Sequence, residues 1–313
     1  MSFSSDVKSE LTTVSVLKDH CRLAETAGVV YSASTLSITG KGIGLSVSTE
    51  NLAVVKRVIS LFEKLFGISA DLTAVEQLPK KTLTYIVALP GGDKTKTVLA
   101  ELGLRIGAGI EPDDDVLNKI ISRDCCKKAF LRGAFLGGGS ISDPQKGYHL
   151  EIVMGSKLLA EVLKNILSEL SLNARIVNRK EDYVVYIKES EQIINYFTHI
   201  GAYSTIFELE NIRILKSINN NINRAYNCES ANIDRTIASA EEQIKCIKII
   251  DKEYGLENLS ESLRIAAELR LENPSASLTE LASIEPSISR SALNHRMRKL
   301  KEIAYSIQNK EKL

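Results

Sequence analysis

No apolar run in the 313-residue chain approaches the ~18 residues that a membrane-spanning helix requires, so no membrane association is expected. The opening MSFSSDVKSEL carries early acids and no apolar core, which excludes a secretory signal. Net charge is nearly absent. With a formal value of +1, nucleic-acid binding would have to come from local patches and not from a global field. The five cysteines (Cys21, Cys125, Cys126, Cys228 and Cys246) are an odd set without a C-x-x-C pair. That argues against a disulfide framework and against a structural zinc site. The four histidines include no pair at ligand spacing, and His20 and His149 read as structural or surface residues. No Ser/His/Asp or Cys/His set stands out, and no cofactor or metal is expected. These absences leave a soluble protein of a reducing, cytoplasmic compartment. Its 44% hydrophobic content is ordinary for a globular chain, and its length suits about two domains.

What is present centres on Phe130–Ile141, FLRGAFLGGGSI. Leu131, Ala134 and Phe135 lie at helical spacing, while Gly133, Gly137 and Gly138 add small residues along the same helix. Glycine costs roughly 1 kcal/mol per helical position against alanine. A helix C-cap accounts for the last of them; close approach of another backbone accounts for all. A degenerate copy lies at Ala24–Ser34, AETAGVVYSAS. Aligning Gly28 on Gly133 puts Ala33 on Gly138, so the two helices could pack across a pseudo-two-fold axis with Gly28, Gly133 and Gly137 at the contact.

The order of elements repeats around these helices. The first copy predicts helices at Cys21–Tyr31, Asn51–Phe66 and Lys94–Leu102, with strands at Leu36–Ile38, Ile43–Val47, Asp71–Val75 and Thr82–Leu89. After Pro112 and an acidic run at Asp113–Asp115, read as loop, the pattern returns. It predicts helices at Arg123–Gly138, Ser156–Leu170 and Glu191–Ile200, with strands at Tyr148–Met154, Ala174–Asn178 and Tyr183–Lys188. Equivalent elements stay about 100 residues apart, which is a duplication signal. Each copy is an α+β unit.

From Ser204 onward no strand pattern remains. Asn219–Asn223 is expected to interrupt a helix beginning near Thr205. The segment Asn223–Asn232, NRAYNCESAN, reads as an ordered linker. A long helix follows with Ile233, Ile237, Ala240, Ile244, Ile247 and Ile250 on its apolar face. The tail then carries Ser277-Leu278-Thr279-Glu280, a capping box that starts a short helix. Ser283–Pro286 breaks the chain, and Ser289 can cap a second helix with Leu293, Met297, Leu300 and Ala304 on one stripe. No acid occurs between Arg290 and Lys301. A bracing helix, a break and a basic second helix are the parts of a helix-turn-helix.

The glycine helices resemble the LAGLIDADG motif of homing endonucleases. In that family a carboxylate near the end of each helix holds a catalytic divalent metal. Those positions are Ala33 and Gly138 here, and neither can ligate one. Taken together, the two helices, the segment Asn223–Asn232 and Ser289–Leu300 (SRSALNHRMRKL) resemble the WhiA family of bacterial transcription regulators over nearly the whole chain. The resemblance implies an α+β duplicated LAGLIDADG homing-endonuclease-like domain followed by an all-α helix-turn-helix domain. Its boundaries fall at 1–108, 109–203, a linker at 204–232, and 233–313. It implies an endonuclease scaffold without cleavage, a nucleoid-associated DNA-binding tail, and roles in cell division, chromosome segregation or sporulation. A protein partner of WhiB type is implied in the same way. The oligomeric state stays open.

On this reading the partner is double-stranded DNA. Arg290, Ser291, Asn294, His295 and Arg298 are the expected base readers, and Arg296, Lys299 and Lys301 the phosphate contacts. Ser277, Thr279 and Ser289 complete the DNA-contacting set. Two rivals stand beside it. An active endonuclease needs paired carboxylates, yet Glu25 lies most of a helix from Ala33, and Asp143 is matched by apolar Ile38. An interaction scaffold is the other rival. Thr73, Thr82 and Thr84 suggest a mild, uncharged outer sheet face in the first copy, whereas Arg175, Arg179, Lys180 and Lys188 leave the second open to DNA.

Overall fold

The computed structural model describes residues 2–40, 42–77, 82–106 and 110–310. The chain divides into two compact units, 1–216 and 217–313.

In the first unit, α1 (Phe3–Thr12) precedes α2 (Asp19–Ala33), β1 (Ser34–Thr39), β2 (Gly42–Thr49), α3 (Leu52–Phe66), β3 (Asp71–Gln77), β4 (Thr82–Leu89) and α4 (Asp93–Glu101). A small hairpin, β5 (Leu104–Ile106) and β6 (Ile110–Pro112), and the short α5 (Asp114–Ile120) lead to the second copy. That copy is α6 (Asp124–Gly138), β7 (Gly139–Ile141), β8 (Leu150–Met154), α7 (Lys157–Glu169), β9 (Arg175–Arg179), β10 (Asp182–Ile187) and α8 (Ser190–Ile200). The two four-stranded antiparallel sheets have the same order, β1-β2-β4-β3 and β7-β8-β10-β9. Equal strand order in both copies is the duplication expressed as topology.

The two glycine helices form the centre of this unit. Residues Ala24–Tyr31 of α2 and Ala129–Leu136 of α6 are buried on every face, as a helix enclosed by a core must be. A Cβ placed on Gly28 would lie 2.1 Å from the Phe130 carbonyl oxygen, and one on Gly133 would lie 2.0 Å from that of Glu25. Their next neighbours are Ala134 and Val29 respectively. Each glycine thus meets the pseudo-symmetric counterparts of the other's neighbours, which is what a two-fold crossing produces. Gly137 meets Ser32, Ala33 and Val29 in the same seam.

A buried ion triad stitches the seam. Glu25 is fully buried; its carboxylate accepts from Arg57 at 2.7 Å and from Arg132 at 2.7 and 2.8 Å. The spare donors of both arginines reach backbone carbonyls, of Val14 and of Ile200. Aromatic packing continues outward from α6, with Phe135 edge-on to Phe197 at 5.5 Å between centroids.

Two segments differ from the sequence reading. The acidic run expected as loop begins α5, because Asp113 accepts from the Val116 amide as its cap and Asp114 and Asp115 occupy the first turn. Acids there complement the helix dipole. The break at Asn219–Asn223 and the linker after it are replaced by one continuous helix, α9 (Tyr203–Glu253). Asparagine is a weak helix former but not a breaker, and α9 contains neither glycine nor proline. Its start is capped from α1, where the Glu10 carboxylate accepts from the amides of Ser204 and Thr205 at 2.6 and 3.0 Å.

The second unit takes the remainder of α9, then α10 (Glu261–Glu272), α11 (Leu278–Ile284) and α12 (Arg290–Lys310). Its core includes Ile247, Ile250, Ala266, Leu281, Leu293, Met297 and Leu300.

Candidate nucleic-acid interface

Local capping builds the tail motif. The Ser277 hydroxyl accepts from the Glu280 amide at 3.2 Å while the Glu280 carboxylate accepts from the Ser277 amide at 2.6 Å, so both halves of the capping box are made. Hydrogen bonding from the Ser277 amide first, and then from its hydroxyl, holds the Glu280 carboxyl below the usual carboxylate range. Ser289 caps α12 by accepting from the Ala292 amide at 3.2 Å. Between the two caps, Leu281 and Ile288 are buried with Leu293, Met297, Leu300 and Ala304. Burying that stripe turns the opposite side of α12 outward. Ser289, Arg290, Ser291, Asn294, His295, Arg298 and Lys299 are exposed, and Arg296 is half-buried. Thr279 is exposed and Ser277 half-buried.

Lys301 departs from its expected role. It is half-buried and ion-paired within the unit to Glu242 of α9, which also accepts from the Tyr305 hydroxyl at 3.0 Å. These two hydrogen bonds, Lys301 first, hold the Glu242 carboxyl below its ordinary range. Its ammonium is therefore engaged before any phosphate arrives.

Two arginines that the sequence reading passed over flank the motif. Arg235, Arg270 and Arg290 line one hollow of about 290 Å³ together with Ser277 and Thr279. Arg270 is 1% exposed and donates to the carbonyls of Asn273 and Ala276, bracing the turn before α11. Burial lowers its pKa, and its Nε has no partner among the described residues. The exposed Arg235 and Arg290 beside two hydroxyls make a seat suited to a phosphate oxygen, while Arg270 serves the turn. Nothing in the local sequence announces it, because the three residues lie on three different helices.

The sheets of the first unit offer a poorer surface for DNA. Paired residues share a face, so Thr35, Ser46, Ala88 and Asp71 lie in one row and Ser48, Ile86 and Thr73 in the next. Among the described residues this face is uncharged apart from Asp71 at its edge. Thr84 was expected outward but is buried; Thr73 is exposed and Thr82 half-buried. In the second sheet Ser140, Glu151, Tyr186 and Arg175 form a row, with the acid at its middle. Glu151 accepts from Arg179 at 2.9 and 3.3 Å and contacts His149 at 3.2 Å. Burial opposes its charge, yet the hydrogen bonds from Arg179 and His149 hold its carboxyl below the ordinary range. Arg179 is thereby neutralised, and Lys188 sits over the Tyr186 ring at 5.1 Å.

At the ends of α2 and α6, the positions of Ala33 and Gly138 carry no carboxylate. The Gly138 amide donates to the Ser32 hydroxyl at 3.1 Å, and the Lys8 ammonium donates to the Gly137 carbonyl at 3.3 Å. Burial pushes the Lys8 amine down to about 8, with the Glu50 carboxylate opposing the shift.

This geometry defines a class of protein: a duplicated LAGLIDADG-type α+β domain with empty acid positions, joined to a helix-turn-helix domain. The comparisons narrow it. The chain matches the family models for the WhiA N-terminal LAGLIDADG-like domain over residues 19–105, the WhiA LAGLIDADG-like domain over 127–219 and the WhiA C-terminal HTH domain over 222–304. It is 38% identical over 309 residues to the probable cell division protein WhiA of Alkaliphilus metalliredigens, covering 97% of this chain and 98% of that one. To the protein of the same name from Desulforamulus reducens it is 38% identical over 312 residues, covering 99% and 97%. The crystal structure of full-length DUF199/WhiA from Thermatoga maritima superposes with a TM-score of 0.59 at 25% identity, covering 98% of this chain and 99% of that one. The chain belongs to the WhiA family.

Proposed function

We propose that this chain is a sequence-specific DNA-binding transcription regulator acting in cell division, chromosome segregation or sporulation, and that it does not cut DNA. The observation that carries the reading is α12. Its first turns present Arg290, Ser291, Asn294, His295 and Arg298 to solvent behind a fully capped α11, with no acid before Glu302. Such a helix can enter a major groove, where arginine pairs with guanine and asparagine with adenine. Arg235, which is exposed, then joins the exposed Lys299 in holding the backbone on either side. The absence of cleavage rests on Ala33 and Gly138, since placing divalent metals on the reacting oxygens requires carboxylates. The Glu151 carboxylate in the middle of the second sheet favours a protein surface over a DNA saddle for the duplicated domain. The protein partner of WhiB type comes from the family resemblance alone.

Binding titrations against a duplex selected from genomic DNA and a scrambled one, at several salt concentrations, test this. Asn294→Ala and Arg298→Ala should each erode the specific-to-scrambled preference by about 1–3 kcal/mol. Lys299→Ala should weaken both duplexes alike and shallow the salt slope by about one unit. An unchanged preference in both of the first two variants would move base reading out of α12. The same duplexes, incubated with Mg²⁺ or Mn²⁺, should stay intact. Cutting that a point change in this chain abolishes would overturn the non-catalytic reading.

A further inference from the structure

The N-terminal ends of α2 and α6, opposite the vacant acid positions, carry a second set of chemistry. His20 and Cys21 lie in the first turn of α2; Cys125 and Cys126 lie in the first turn of α6. The alignment that superposes Gly28 on Gly133 also superposes these two pairs. The close helix crossing therefore brings all four side chains to one point. His20 Nδ1 is 3.1 Å from Cys126 Sγ and 3.3 Å from Cys21 Sγ. Together with Cys125 Sγ, the four donor atoms all lie within 4.8 Å of one another. The absence of a C-x-x-C spacing hid the set from the sequence, because its two halves are joined only by tertiary packing.

We propose that His20, Cys21, Cys125 and Cys126 bind one thiophilic divalent ion, with Zn²⁺ the best fit, as a closed tetrahedral Cys₃His site. Zinc takes sulfur at ~2.3 Å and nitrogen at ~2.0–2.1 Å, so the donors of a tetrahedral site stand ~3.5–3.8 Å apart. The observed spacing needs adjustments below an ångström or so, within the reach of side-chain rotation. Three thiolates and a neutral imidazole around Zn²⁺ carry a net negative charge. The four residues sit in the first turns of two helices, neither of which receives a side-chain cap at Lys18 or Arg123, so the positive ends of two helix dipoles meet that charge. Helix N-termini and nearby cations stabilise thiolates. Lys18 and Lys128 border the same cleft as Cys21 and Cys125. Soft sulfur donors select zinc over the magnesium or calcium that carboxylates would select at the other helix ends. With four protein donors, no position is left for substrate, so the site is structural: it ties the two repeats together at the end of their shared seam.

The test is a Co²⁺ titration of the full-length chain, reduced and kept free of oxygen. The expected result is the visible spectrum of tetrahedral thiolate-bound cobalt, saturating at one equivalent and erased by one equivalent of Zn²⁺. Cys21→Ser and Cys126→Ser should abolish it, whereas Cys228→Ser and Cys246→Ser should leave it unchanged. Should the first two fail to fold, His20→Asn keeps the three sulfurs and should shift the cobalt bands. Absence of the tetrahedral spectrum, or its survival unchanged in His20→Asn, would overturn the proposal. So would a disulfide between Cys21 and Cys125 or Cys126 in chain alkylated directly from cells, which would make the cluster a redox pair instead.

Discussion

Adding one methyl group at Gly133 probes the seam directly. In Gly133→Ala the new carbon would lie 2.0 Å from the Glu25 carbonyl oxygen, 2.9 Å from its carbon and 3.0 Å from the Val29 nitrogen. All three are backbone atoms in the middle of a helix buried on every face, so none can rotate away. Contacts of that kind are not found below 3.0 Å. α2 and α6 must therefore separate by about 1 Å, and a gap of that size forfeits a quarter to a half of the dispersion energy along the contact. Separation also stretches the 2.7 Å pair between Glu25 and Arg132, which spans the same seam. Overpacking costs about 1–3 kcal/mol when side chains absorb it; with backbone on both sides, about 3 kcal/mol is expected. For a unit of this size that lowers the melting temperature by about 6–12 °C. Gly147→Ala and Gly155→Ala are the controls, because a Cβ at either meets nothing within 4 Å. They should stay within about 0.5 kcal/mol of the parent. Gly28→Ala should match Gly133→Ala, and the double variant should cost less than the sum, because the first methyl has already opened the seam. Thermal melts and urea titrations of the parent and the five variants decide the matter. A Gly133→Ala that melts with its controls would refute the close crossing.

Arg132→Met leaves the buried Glu25 with Arg57 as its remaining cationic partner and should cost about 3–5 kcal/mol in urea unfolding. Adding Glu25→Gln should recover part of that loss, since an amide needs no counter-charge; an equal loss in both variants would show that the charge is not what matters. Lys8 sets a pH dependence. Its folded pKa is about 8 against 10.5 when free, so across that window the unfolded chain holds the proton more tightly and stability rises with pH. Relative to Lys8→Met, the parent should gain about 1–3 kcal/mol between those limits. A constant difference in urea midpoints would mean that the amine is not desolvated.

Packing that recurs at a fixed offset was legible without coordinates. The glycines of the two motif helices, the matching order of elements along the chain and the apolar stripe of α12 all follow from local spacing, and the structure places them accordingly. What escaped depends on partners distant in sequence. Lys301 looks like a phosphate contact until Glu242, on α9, is brought beside it. Thr84 lies on a strand whose alternation points it outward, yet it is buried. Arg235 and Arg270 become neighbours of Arg290 only when three helices meet. The asparagine-rich stretch failed for another reason. Weak propensity was weighed as a break, although no glycine or proline enforced one. The cysteine reading assumed that donors must be close in sequence, while the helix crossing supplies the proximity.

The seam and the acid positions answer to different physics, and that difference explains how the scaffold can stand without carboxylates at positions 33 and 138. Gly28 and Gly133 are fixed by backbone contact, so their requirement persists whatever sits at the helix ends. A carboxylate at position 33 or 138 contributes nothing to that contact. Where a metal-bound endonuclease needs converging oxygens for a hard cation, this chain offers the Gly138 amide, already satisfied by Ser32, and the Lys8 ammonium beside Gly137. A cation at that spot would repel a divalent metal. Restoring acids alone, as Ala33→Asp with Gly138→Asp, would therefore not restore a metal site. The Gly138 side chain would strike the carbonyl oxygens of Val153 and Ser32 at 2.7 and 2.8 Å, and Lys8 would compensate the new charge. In the second unit, Arg290, Asn294 and His295 on the first turns of α12 are exposed, whereas Arg298 pairs with Glu302 at 3.8 Å; the proposed recognition therefore falls first on those three.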